Sequence, residues 1–200
     1  YFSATMAAIP FSSNYCWELD DGISIYKISR CGQRTYVRSK FLVAAVLGGL
    51  TLFFGGLVFI LLLRSYLPIV TTEKVLESQW IPFFHALTVG DGVPYLAIVL
   101  YLSFLSGALW GSVGLCASAY FPSNYVAVCF PFIFRFLLVQ IGRLLKLPDG
   151  MRLDRLLVAR GTIYSDSVTI VVTTMAVLAF ILLCYRLFMR RMERRIWDEE

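Results

Sequence analysis

The chain has 200 residues, of which 58% are apolar and only 16% charged, with a formal net charge of +5 and a mean hydropathy of +0.73. An ordinary soluble domain carries about 25% charged residues, so this balance excludes one and points to a membrane protein. A bilayer core about 30 Å thick needs roughly 17 to 25 apolar residues per helical span, and four runs meet that requirement, at 41–63, 93–120, 125–141 and 168–187.

The first 15 residues are apolar and rich in small side chains but too short to cross alone. They lack the basic start and cleavage-site pattern of a signal peptide. Because the sequence starts with Tyr rather than Met, the expectation is a piece of a longer chain in which residues 1–15 end a span begun upstream.

Residues 16–40, CWELDDGISIYKISRCGQRTYVRSK, form an island carrying Glu18, Asp20, Asp21, Lys27, Arg30, Arg34, Arg38 and Lys40. Asp20 or Asp21 suits the N-cap of a short helix, where the dipole favours an acid, and Gly32 suits its stop. Ile23, Ile25, Tyr26 and Ile28 make that helix too apolar for a solvated linker. It must pack on something, either lipid headgroups, with Lys27, Arg30 and Arg34 meeting phosphates, or a partner protein.

In the run 41–63, Gly48 and Gly49 recur seven residues later as Gly55 and Gly56. The segment 64–92 is poor in basic residues and holds the one histidine, His85. In the run 93–120, Ser103, Gly107, Gly111, Gly114 and Ser118 recur every three or four residues. Both patterns predict helix faces that let a neighbouring backbone come close. The turn 121–124 is uncharged.

Arg135 and Gln140 interrupt the run 125–141. An arginine near the centre of a span costs about 2.5 to 3.5 kcal/mol on insertion scales, so its charge must face protein, water or a headgroup. Two readings stand: snorkelling toward an interface, or lining a cavity and cargo path that attracts an anionic group. Gln140 fits either. The segment 143–166 is basic, and MRLDRLLVAR within it sets Leu153, Leu156 and Leu157 on one face, the pattern of a helix lying in an interface.

Basic residues cluster in the island and in the tail 188–200 with its flank, at Arg186, Arg190, Arg191, Arg194 and Arg195. An even number of spans separates the two, so both fall on one side, which the positive-inside rule makes the cytoplasm. The charge flanks spans, and no nucleic-acid partner is expected. The chemistry of a catalyst is missing too. One histidine cannot build a His cluster, Cys16, Cys31, Cys116, Cys129 and Cys184 lack zinc spacing, and no GxxxxGK[ST] stretch is present to bind ATP. The runs show no period-2 alternation, which leaves helices as the spanning structure. The expected fold is all-α and polytopic, and the chain is not an enzyme by itself.

Ala8 to Pro10, then Glu18, Asp21 and Gly22, then Arg30, Arg34, Tyr36 and Lys40 entering the next span form a pattern that resembles the permease subunits of bacterial type-two ATP-binding-cassette exporters. The resemblance is strongest over residues 1–63 and rests on span order beyond them. It implies six spans in the intact subunit, a plasma-membrane location, and a second permease subunit. It also implies a separate ATPase subunit that holds the ATP and Mg. The island then contains a coupling helix seated on that ATPase, and Glu18, Asp21, Gly22, Ile23, Tyr26, Arg30 and Lys40 fall in the transmission region. The alternative from another class is a membrane sensor or assembly protein that binds a cytoplasmic partner through residues 18–34 without transport.

Overall fold

The small-residue run of 93–120 becomes the centre of a helical bundle. A computed structural model describes residues 2–66, 83, 86, 92–146, 152–159 and 165–198. In chain order the helices are α1 (Phe2–Ala8), α2 (Ser12–Asp20), α3 (Ile23–Cys31), α4 (Gln33–Tyr66), α5 (Val93–Tyr120), α6 (Asn124–Leu144), α7 (Leu153–Leu156) and α8 (Asp166–Asp198). No strand occurs among the described residues. Helices α4, α5, α6 and α8 are long and apolar enough to cross a membrane, so the architecture is all-α and membrane-embedded.

Helix α5 is buried without a break from Leu105 to Ala119 and touches α1, α2, α4, α6 and α8. Its most extensive partner is α4, and glycine makes that contact possible. A Cβ on Gly107 would lie 2.2 Å from the Gly48 carbonyl oxygen, one on Gly48 2.6 Å from the Gly107 oxygen, and one on Gly111 2.6 Å from the Ala44 oxygen. Backbone therefore meets backbone, a geometry no larger residue allows. The opposite face of α4, including Leu42, Val46 and Phe54, is exposed and has the apolar character of a lipid-facing surface.

Several boundaries differ from the sequence expectation. Residues 1–15 do not form one continuous helix end: the chain breaks at Ile9–Phe11 and restarts as α2, which runs on to Asp20. Pro10 has no N–H for the ladder, which accounts for the break. Helix α4 begins at Gln33, inside the island, rather than at Phe41. The island's acids do not cap α3. Gly22 occupies the N-cap at φ 66° and no side chain bonds the cap, while Asp20 and Asp21 close α2. That left-handed backbone is open to glycine at little cost. Gly32 does end α3, at φ 76°, and is the single residue between α3 and α4.

Two of the leucines expected to lie in the interface, Leu156 and Leu157, pack on protein instead. Leu156 and Leu157 are each 5% exposed, and α7, only four residues long, contacts α6 and α8. Arg152 is buried and pairs with Asp154 at 3.3 Å. Met151 and Arg160 lie outside the described residues, as do 67–82 and His85.

The two basic segments meet at one end of the bundle. The Tyr15 hydroxyl donates to Met192 Sδ at 2.8 Å, the Tyr15 and Phe188 rings meet edge-on at 5.4 Å, and Phe41 meets Tyr185 likewise. Arg191 lies 5.8 Å from the Tyr120 ring, which brings the 121–124 turn to the same end.

Candidate functional site

At that end one carboxylate joins three elements. Glu18, near the end of α2, accepts hydrogen bonds on Oε1 from Lys27 Nζ of α3 (2.7 Å) and from Lys40 Nζ of α4 (2.6 Å). Its Oε2 accepts from the Tyr36 hydroxyl of α4 at 2.7 Å. The Glu18 and Lys40 side chains are each about a tenth exposed, whereas Lys27 is 47% exposed. The Lys40 ammonium also stands 5.1 Å from the Phe11 ring and 5.9 Å from the Tyr36 ring, on which cation–π attraction adds to the ion pair.

Burial alone would raise the Glu18 carboxyl. The hydrogen bonds from Lys27, Lys40 and Tyr36, with the Lys40 charge, outweigh it, so the group titrates below its ordinary 4.5. Burial and then the neighbouring Glu18 charge push the Tyr36 phenol far above its usual range. Tyr36 therefore stays protonated and donates. The node is a stable ionic clamp, unsuited to proton transfer near neutrality because neither group titrates there.

The clamp leaves one face of α3 outward. Ile23 and Tyr26 are 41% and 75% exposed, and Arg30 is exposed, one turn further along the same face. Ser24 and Ile28 face the protein. Asp21 is exposed at the end of α2, and Gly22 turns the chain into α3. The residues expected from the resemblance to couple therefore divide into two groups: Glu18 and Lys40 form the buried clamp, whereas Ile23, Tyr26 and Arg30 form an exposed stripe. Lys27 and Tyr36 complete the clamp. No local spacing relates Glu18 to Lys27 or to Tyr36, nine and 18 positions on, because the turn at Gly22 and the reversal at Gly32 bring them together.

A second polar site lies within the bundle. Arg135 Nη1 donates to Ser3 Oγ of α1, and its guanidinium lies 5.9 Å from the Trp110 ring. Together with Ser3, Ser103 and Ser106 and the aliphatic Leu52, Val99, Leu157 and Val158, Arg135 lines a cleft of about 280 Å³. The arginine thus faces the protein interior. Gln140 is exposed and does not line the cleft.

Of the residues predicted to pack helices, Gly48, Gly107 and Gly111 form the close α4–α5 contact, and Gly114 is buried in α5. Ser103 bonds the Val99 carbonyl, while Gly55 meets open space. Among the described residues no three His, Cys, Asp or Glu side chains gather as metal ligands.

Compared with known protein families, with curated proteins and with solved structures, the chain matches none. The fold and hydropathy define a helical, membrane-embedded protein.

Proposed function

We propose that this chain is the membrane subunit of an ATP-driven exporter of the type-two ATP-binding-cassette kind. It pairs with a second permease subunit in the plasma membrane, with both basic ends cytoplasmic, and is driven by a separate ATPase that binds the ATP and Mg. The carrying observation is the division within the island: α3 offers Ile23, Tyr26 and Arg30 outward while Lys27, on the flank of that stripe, ties the helix through Glu18 to α2 and α4. A force applied to that face passes through the Lys27–Glu18–Lys40 clamp and the one-residue Gly32 joint directly into α4. From α4 it reaches α5 through the glycine contact, where close and weakly polar packing suits helices that slide or separate. The motif resemblance over residues 1–63 supplies the identity of the partner, and no covalent chemistry is asked of the chain.

The test is co-purification with an ATP-binding-cassette ATPase from the host cell, using tagged chain and the double variant Tyr26→Asp, Arg30→Asp. Tyr and Arg anchors commonly account for 2 kcal/mol or more of an interface, so the variant should lose ATPase binding by about tenfold or more while its helicity and Tm persist. Undiminished binding by the variant, or activity of the isolated chain without any ATPase, refutes the proposal.

A further inference from the structure

The cleft beside Arg135 mixes polar and aliphatic side chains. A guanidinium from α6 and serine side chains from α1 and α5 line it together with aliphatic side chains from α4, α5 and the segment after α7. We propose that this cleft binds the head of an anionic amphiphile, with Arg135, Ser3 and Ser106 taking a phosphate or carboxylate and Leu52, Val99, Leu157 and Val158 taking the first methylenes of its chain. The inference concerns binding and does not rest on the exporter reading.

Depth is the first argument. Arg135 lies 11 residues from the start of α6, or about 16 Å along it, nearer the middle of an apolar span than its edge. Ser3 and the Trp110 ring hold the guanidinium toward the cleft rather than toward an interface. A planar guanidinium has five donors in a fixed fork and matches phosphate or carboxylate oxygens two at a time. The Ser3 and Ser106 hydroxyls add adaptable donors around that head, whereas the Ser103 proton is held by the Val99 carbonyl. An ion pair formed at this depth is far less screened than one at the surface.

Size is the second argument. The volume, about 280 Å³, corresponds to about nine water molecules at ~30 Å³ each and falls just below the range of drug-sized pockets. It admits a headgroup and the first carbons of a chain but not a folded peptide or an oligosaccharide. The rest of the molecule must leave by the rim, where Val158 is 45% exposed. The segment 152–159, packed against α6 and α8 through its buried leucines, closes that side and gives the chain an apolar track.

The experiment uses native mass spectrometry of the full chain, stripped of lipid in neutral detergent and titrated with phosphatidic acid or phosphatidylcholine of identical acyl chains. Wild type should retain phosphatidic acid at least about tenfold better, as a charge-assisted pair requires, and Arg135→Gln should reduce that preference to below about twofold. Val158→Trp, a change at the exposed rim that leaves the buried core untouched, should weaken binding even if Arg135→Gln fails to fold. Equal retention of the two lipids by wild type, or an unchanged preference in both variants, overturns the proposal. So does displacement of phosphatidic acid by equimolar inorganic phosphate, which would make the ligand a free anion rather than an amphiphile.

Discussion

Replacing Glu18 by Gln tests whether one carboxylate ties the α3 helix to the bundle. The substitution keeps the size and one oxygen but leaves Lys27 and Lys40 without their shared counter-charge. Lys40 is the costly one, being only a tenth exposed. Removing one partner of a buried ion pair typically costs about 3 to 5 kcal/mol, whereas the half-exposed Lys27 contact adds less than about 1 kcal/mol. At roughly 2 to 4 °C per kcal/mol for a chain of this size, Tm should fall by about 10 °C at pH 7. The pH dependence gives a second readout. Because the folded-state carboxyl titrates below its ordinary 4.5, its contribution is complete above about pH 4.5 and is lost as pH falls through the depressed value. Thermal unfolding in detergent at pH 7 and pH 3 should therefore show the wild-type and Glu18→Gln curves converging on acidification, with other acids cancelling between them. In Glu18→Gln, Lys40→Met, where both buried charges are gone, most of the loss at pH 7 should be recovered. A variant as stable as wild type at pH 7, or a gap that does not narrow in acid, refutes the clamp.

The glycines give a contrast in sign. Gly107→Ala drives a Cβ into the Gly48 carbonyl and should lower stability by about 1 to 3 kcal/mol despite the better helix former, while Gly55→Ala, facing open space, should be neutral or stabilising by up to ~1 kcal/mol. Equal effects in a denaturation series would mean that α4 and α5 do not meet through Gly48 and Gly107. The buried Cys116 on α5 and Cys184 on α8 line the same apolar cavity, so diamide oxidation followed by peptide mass spectrometry should link this pair in preference to the exposed Cys31 and Cys129. A dominant link through Cys31 or Cys129 would contradict the α5–α8 register.

Hydropathy and length were enough to determine the class, because a run such as 168–187 has no stable place outside an apolar phase and must satisfy its backbone within itself. Local chemistry was equally legible where a single residue decides: Gly32 ends α3 since only glycine adopts its left-handed turn cheaply, and the glycine spacing of 93–120 marked the helix that others approach. Tertiary structure decided the rest. Gly55 repeats the spacing of Gly48 yet faces open space, because the crossing of α4 over α5 passes Gly48 and no repeat encodes where a crossing falls. Leu156 and Leu157 read equally as lipid-facing or protein-facing, since both environments are apolar; packing within the bundle chose the second. Arg135 and Ser3 stand 132 positions apart, and their cleft exists only because α1 lies against α5 and α6. The opening island likewise has a charge pattern visible in one dimension, but the division into a buried clamp and an exposed stripe follows from two reversals, at Gly22 and Gly32, that fold Lys27, Tyr36 and Lys40 back onto one carboxylate.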